Sequence, residues 1–449
     1  MKLTPLGPWI ARKIKHDQQN GRGLTRELIE AYQLEKLRQT LELVSTQSIF
    51  YQHHLAGCDL DLRNLDQLKH LPFTTADDIK KNPVHFLTVS QGEIDRIVTL
   101  QSSGTTGQPK RIYFTTADQE LTIDFFQQGM ATFVEPGDRV LILLPGKNPG
   151  SVGDLLRQGL ARHGVKGIVY GPVFNPAETL EVIQKEEIDC LVGIPVQVLS
   201  LARYRDTNGL PVSVGVKNVL LSTDYVPEAV VQALQEAWGC RVFNHYGSTE
   251  MGLGGGVECA ALKGYHLREA DLYFEVVDPV SGEVLPDGEY GEVVFTTLTR
   301  QGMPLIRYKT GDFSRFLKEP CPCGTVLKRL DSVKGRLMGT VELRTGNCIS
   351  ISELDETILR FKGVVDFSAE LREGNEQVLT ITIFQAGGNQ EPVEPEAVLQ
   401  ALMKLVQLEN AVEQGCLKLR VQVENGEQKR SITSSKRLVA IIPERDELS

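Results

Sequence analysis

The chain lacks any long apolar run: no window approaches about eighteen uninterrupted apolar residues, so no segment is expected to cross a bilayer. It also lacks a basic excess. Lysine and arginine total 48 against 58 aspartates and glutamates, a formal net charge of −10, which argues against a nucleic-acid binder because little is left to neutralise phosphates. The opening stretch MKLTPLGPWIARKIKHD carries basic residues without the apolar core of a secretory signal, so none is expected there. Cysteine is sparse. Eight in 449 residues do not make a small disulfide scaffold, and several sit inside apolar runs, which points to a reducing cytoplasm. Internal repeats and low-complexity tracts are absent.

What remains is a globular composition, 41% hydrophobic and 24% charged, in a chain too long for one ordinary core. Residues 1–95 read as mainly helical, with helical spacing over 25–44. Thr75, three residues before Asp78, is an N-cap for a short helix running into Lys81. Beyond residue 138, short apolar runs at 139–144, 167–170, 188–192, 217–221 and 240–244 alternate with helical patterns at 152–162, 176–185, 195–205 and 227–238. Such alternation predicts βαβ units and a mostly parallel sheet, with ligands beyond the carboxyl ends of its strands. Ser222-Thr223-Asp224 and the polar run 245–250 occupy such ends. From residue 272 the period changes to two, predicting an antiparallel β-meander. After residue 335 a second unit begins, with a helix over 352–361, strands over 364–371 and 378–384, a helix over 395–407 and a strand over 417–423. The expected architecture is α/β: a large N-terminal domain, 1–335, and a small ferredoxin-like α+β domain, 336–449.

Residues 100–115, LQSSGTTGQPKRIYFT, follow a strand-like run. Glycines and small residues let backbone N–H groups converge on one point, and hydroxyls plus a lysine complete an anion cradle. Taken alone this could be a polar hairpin loop, and its spacing is not that of a Walker A loop. It resembles the phosphate-binding loop of the adenylate-forming enzymes, a superfamily that includes acyl-CoA ligases, luciferases and peptide-synthetase adenylation domains. FNHYGSTEMG (243–252) resembles the adenine-side motif of the same enzymes, and RYKTGD (307–312) their ribose segment. DSVKGR (331–336) is similar to their hinge approach. The wording LKHLPFTTADDIKKN and the order of the motifs are most similar to the phenylacetate-CoA ligase branch, with the resemblance running from about residue 50 to 443.

That resemblance implies site residues. Ser102, Ser103, Gly104, Thr105, Thr106, Gly107 and Lys110 would cradle the ATP phosphates. Tyr246 and Gly247 would lie at the adenine, with Ser222 and Asp224 on the same side. Thr249 would contact the α-phosphate, Glu250 would hold Mg²⁺, Asp312 would take the ribose hydroxyls, and Arg336 would lie near ribose and phosphate. Lys436, in SITSSKRLVAIIP, matches the catalytic lysine of the small domain; read alone it is a surface lysine beside Arg437. Cys259, His266, Cys321 and Cys323 form a Cys₃His set that could hold structural Zn²⁺, or could be buried free thiols. Related ligases carry a similar arrangement.

The implied reaction joins a carboxylic acid, aromatic or otherwise small, to ATP as an acyl-adenylate and passes the acyl group to a thiol, usually coenzyme A. No side-chain nucleophile is needed, only positioning and charge stabilisation. Several departures keep alternatives open. The hinge reads Gly335-Arg336-Leu337-Met338-Gly339 with no acid, Ser435 replaces the glycine before the lysine, and Ser222-Thr223-Asp224-Tyr225 replaces Gly-Ala-Glu-Pro. PGKNPGSVGDLL lacks the aromatic run seen in phenylacetate ligases. Transfer to a carrier protein, or a nucleotide-binding scaffold without turnover, are the other readings, and a homodimer is left open.

Overall fold

The computed structural model describes residues 2–14, 23–100, 108–210, 215–336, 340–374, 376–386, 392–425 and 439–442. The fold is α/β with mixed sheets. Two compact units divide the chain: 1–138, 145–169 and 243–333 form the first, and 139–144, 170–242 and 334–449 the second.

In the first unit the long helix Arg26–Gln47 starts at Thr25, whose side chain accepts from the Leu28 N–H. The predicted cap at Thr75 is a full capping box with Asp78. The antiparallel pair Ile94–Leu100 and Lys110–Thr115 flanks the glycine-rich loop and matches Leu100 with Lys110. The meander Leu272–Val277, Gly291–Thr297 and Tyr308–Ser314 is antiparallel, as expected. A second antiparallel ladder joins Arg241–Tyr246, Gly256–Glu258, Tyr265–Leu267 and Arg329–Leu330. One apolar core, including Leu37, Tyr51, Phe86, Ile112, Phe274, Phe295 and Ile306, underlies both sheets.

The second unit holds three of the predicted strands in parallel pairing. Arg139–Ile142 pairs with Cys190–Gly193, which pairs with Asn218–Leu221. Cys190, Leu191, Val192, Val219 and Leu221 are essentially inaccessible, the near-continuous apolar lettering of strands covered on both faces. Prolines open the helices Pro176–Lys185 and Pro195–Thr207, where a missing N–H costs nothing.

Farther along, Val364–Arg372 pairs antiparallel with Gln377–Gln385 and parallel with Val439–Ile442, while Leu417–Asn425 lies parallel to Gln377–Gln385. The helix expected over 395–407 is two helices, Pro395–Leu402 and Val406–Glu413. The hairpin Thr340–Glu342 with Cys348–Ser350 was not anticipated. Arg203 Nη2 donates to the Leu359 carbonyl at the end of Ile351–Ile358, and Tyr225 donates to Glu356 at 2.8 Å.

Candidate active site

The first unit brings together residues from three distant stretches. Lys110, first residue of its strand, forms an ion pair with Glu250, 140 residues away. The Tyr308 hydroxyl lies 3.1 Å from Lys110 Nζ and donates to Glu250 Oε1 at 3.3 Å. All three side chains are largely buried, Tyr308 being 3% exposed. Beside them the Tyr246 hydroxyl donates to Asp312 Oδ2 at 2.9 Å. Five residues of the three predicted motifs are thus found in two hydrogen-bonded sets.

Local backbone chemistry explains the placement. Tyr246 ends a strand, and Gly247 follows where no β-carbon fits: one would stand 2.7 Å from the Leu253 carbonyl oxygen and 3.0 Å from the Gly254 Cα. The chain then turns through Thr249 and Glu250, with Met251, Gly252 and Leu253 N–H groups returning to the Ser248 and Thr249 carbonyls. Gly311 adopts φ +73°, a left-handed conformation that bends the strand Tyr308–Ser314 just before Asp312. The Thr310 hydroxyl accepts from the Asp312 N–H and donates to the Val293 carbonyl.

Two buried arginines, given no role in the sequence reading, hold these pieces. Arg300 Nη1 donates to the Glu250 carbonyl at 2.7 Å and stacks over Phe114, 5.0 Å from its ring centre. Burial pulls its pKa down to about 10, with Asp118 acting in the opposite sense. Arg307 has φ +46°, and its guanidinium grips both oxygens of Glu275 and donates to the Lys69 and Leu71 carbonyls at 2.7 Å each. Burial pushes the Glu275 carboxyl up, and Arg307 opposes that. Thr74 clamps the same point: its N–H donates to the Arg307 carbonyl, its carbonyl accepts from Lys309, and its hydroxyl donates to the Ile306 carbonyl. The LPFTT segment therefore anchors the head of the strand that carries Tyr308 and Asp312. The signal for Tyr308 was its place inside RYKTGD; nothing in the spacing marked Arg300.

Other predicted residues lie elsewhere. Ser222 and Asp224 follow the strand Asn218–Leu221 in the second unit, with Thr223 between them at φ +78°, an uncommon conformation for a β-branched residue. The Ser222 N–H donates to the Gly193 carbonyl and Asp224 Oδ1 accepts from the Tyr225 N–H. Arg336 closes the short strand Gly335–Arg336. Ser102, Ser103, Gly104, Thr105, Thr106, Gly107 and Lys436 lie outside the described residues.

The Cys₃His set comes together as a buried cluster. Ligand atoms of Cys259, His266, Cys321 and Cys323 all lie within 4.8 Å of one another. Pairing of Val257 with His266, and of His266 with Arg329, sets two approaches, while the 321–323 loop supplies the other two ligands. Cys259 Sγ is 3.6 Å from Cys321 Sγ, and Cys323 Sγ is 3.5 Å from His266 Nε2. A tetrahedral zinc with Zn–S near 2.3 Å needs ligand edges of about 3.8 Å, so the set fits. Burial pushes the Cys259 thiol up to about 12. Burial also lowers His266 to about 4, helped by the Arg329 charge, and so keeps the imidazole neutral, the form that ligates metals. Burial opposes ionisation of Cys323 as well, yet N–H groups of Thr325 and Thr4 and the adjoining thiols hold it below its usual value. His266 Nδ1 has no hydrogen-bond partner among the described residues.

Among the described residues, no helix is long and apolar enough to cross a membrane. Residues 30–299 match the family model for AMP-binding enzyme. The chain is 30% identical over 408 residues to a phenylacetate-coenzyme A ligase of Thermus thermophilus, covering 85% of this chain and 89% of the relative. It is 28% identical to one from Pseudomonas putida, covering 75% and 76%. Among solved structures, a 2-hydroxyisobutyryl-CoA ligase in complex with an acyl-AMP superposes with a TM-score of 0.76 at 19% identity, over 94% of this chain and 91% of that one.

Proposed function

Because the chain belongs to the AMP-binding enzyme family, in the phenylacetate-CoA ligase-like branch of the adenylate-forming enzymes, we propose that the buried Lys110–Glu250 and Tyr246–Asp312 sets form its nucleotide site. The enzyme is an ATP-dependent, AMP-forming acid–CoA ligase. A carboxylate oxygen bonds to the α-phosphorus of ATP as pyrophosphate leaves; the thiol of coenzyme A then bonds to the acyl carbon as AMP leaves. The acid is aromatic or another small carboxylic acid, a reading supported by the phenylacetate-CoA ligases it resembles.

The single observation that carries the site assignment is the convergence of Lys110, Glu250, Tyr246 and Asp312, spread over 202 positions (312 − 110), in one unit. Asp312 suits a ribose because a carboxylate accepts two hydrogen bonds at once, and the Tyr246 hydroxyl fixes its orientation. Ser102, Ser103, Gly104, Thr105, Thr106, Gly107 and Lys110 would receive the phosphates, with Thr249 at the α-phosphate. Glu250, a buried carboxylate beside a cation, fits a Mg²⁺ ligand; Mg²⁺ there would supply charge neutralisation. By the family resemblance, Ser222, Asp224 and Arg336 would add nucleotide contacts, and Lys436 would stabilise charge during adenylation. Cys259, His266, Cys321 and Cys323 would hold a structural zinc. With four protein ligands no position is left for substrate. Eight free thiols suit a reducing cytoplasmic setting.

The test is pyrophosphate release from Mg-ATP across a panel of carboxylic acids, with and without coenzyme A. Release that depends on one class of acid identifies the substrate class, and stimulation by coenzyme A identifies the acceptor. Acid-dependent AMP formation with no thioester would move the reading to a carrier-protein acceptor. No release on any acid, with ATP binding intact, would favour a scaffold. Lys436→Ala should lower adenylation by about 10²-fold or more. An unchanged rate would remove Lys436 from the site.

A further inference from the structure

The nucleotide site as proposed uses Glu250 for a divalent cation and Lys110 for phosphate, and gives Tyr308 no task. In the structure all three converge on one atom. Glu250 Oε1 receives both the Lys110 ammonium and the Tyr308 hydroxyl. The Lys110 and Glu250 side chains are only 15% and 7% exposed, so both charges are largely cut off from water; Lys110 is the cation in contact with Glu250, and the buried Arg300 adds positive charge nearby. Oε1 already holds two donors, and a divalent cation at either oxygen of this carboxylate would stand against the adjoining ammonium in a site screened from water. The cation therefore gains Glu250 only as Lys110 leaves, and Lys110 leaves a half-dry site only toward another anion.

We infer that Lys110 is the resident counter-ion of Glu250, and that it makes metal binding conditional on nucleotide, because only the phosphates can take the ammonium over. Tyr308 is the positioning residue of this exchange. Its hydroxyl reaches both charges, and its backbone is fixed by Arg307 on Glu275 and by the Thr74 clamp. When Lys110 departs, the hydroxyl stays as a donor to Glu250 and holds the carboxylate where a metal can meet it. The device orders events. Free metal is refused, and metal arrives as part of the metal–nucleotide pair. The inference rests on the nucleotide site proposed above.

The experiment is a Mn²⁺ titration followed by electron paramagnetic resonance, on the full chain, with and without the non-reactive α,β-methylene-ATP. Wild-type protein should take up Mn²⁺ at this site only with the nucleotide. Lys110→Met and Lys110→Gln should bind Mn²⁺ without nucleotide at least about tenfold more tightly than wild type, a gain that loss of structure could not produce. Lys110→Arg keeps the charge and should keep the refusal. Tyr308→Phe should also keep it, while raising the Mn²⁺ concentration for half-saturation in the ternary complex a few-fold. Wild-type protein that binds Mn²⁺ equally well with and without nucleotide would overturn the inference while leaving the proposed function standing. So would a Lys110→Met protein, folded by circular dichroism, with no gain. If wild type binds neither Mn²⁺ nor nucleotide in any combination, the nucleotide site itself fails, and the inference falls with it.

Discussion

Two buried polar clusters share the first unit, and they solve opposite electrostatic problems. At Lys110, Tyr308 and Glu250, unlike charges meet and neutralise each other. At Cys259, His266, Cys321 and Cys323, four electron-pair donors face one another with no cationic side chain among them. The first cluster is complete as protein and, on the inference above, opens to admit a metal. The second is a ligand set in which burial disfavours ionisation of Cys259 and Cys321, a cost that a bound cation would offset. A buried cluster can therefore be read by asking whether its charges already sum to zero. One that does is poised for exchange; one that is all donors asks for an ion.

The largest expected effect breaks the first cluster. Glu250→Gln keeps the shape and removes the charge, and acid-dependent pyrophosphate release should fall on the order of 10²–10³-fold with the far-UV spectrum unchanged. A near-normal rate would show that this carboxylate holds no metal. The matching change in the second cluster should act on stability. Cys323→Ser or Cys259→Ser should lower bound zinc, measured by mass spectrometry, from about one per chain to none, and lower Tm by about 5 °C or more. Activity at a temperature where the variant is folded should survive. Loss of zinc without loss of Tm would return these thiols to ordinary core packing.

A smaller effect is expected from Asp312→Asn, which keeps the Tyr246 contact but weakens a charge-assisted acceptor: KM for ATP should rise about tenfold with kcat changed less. The smallest lies on the ladder joining the two clusters, where His245 pairs with Val257. Burial lowers the His245 pKa to about 4, so the folded protein holds it neutral. The stability this contributes is fully present above the unfolded value near 6.5 and is lost as pH falls toward 4. The slope within that window is up to about 1.4 kcal/mol per pH unit. Urea titrations at pH 7, 6 and 5 should show this slope, and His245→Asn should flatten it.

The strands and helices between 139 and 246 were legible because each carries a simple period bounded by proline, glycine or polar residues. The helix Val152–Arg162 and the helix Pro176–Lys185 lie on their predicted spans. The break at 403–405 was not, since ALMKLVQLEN keeps helical lettering through the turn and only packing divides it. Motifs showed which residues matter but could not show what they touch. YGSTE and RYKTGD named Tyr246, Glu250 and Asp312, while the hydrogen bonds from Tyr246 to Asp312 and from Tyr308 to Glu250 depend on how two sheets meet. Arg300 and Arg307 look like surface residues on paper, and their burial follows from carbonyls at Glu250, Lys69 and Leu71 that no spacing rule brings to them.

The thiol cluster also sets an order of assembly. Cys259 and Cys321 are 62 residues apart, and the loop they close contains the whole meander that carries Tyr308 and Asp312. During synthesis the hairpin pairing Val257 with His266 can form from neighbouring residues, but the fourth ligand, Cys323, emerges last. If this set holds the proposed zinc, its capture comes late and locks a meander already paired, and the chain up to that moment carries thiols without a metal. On that proposal, cells starved of zinc should accumulate this protein as a nearly folded, protease-sensitive species.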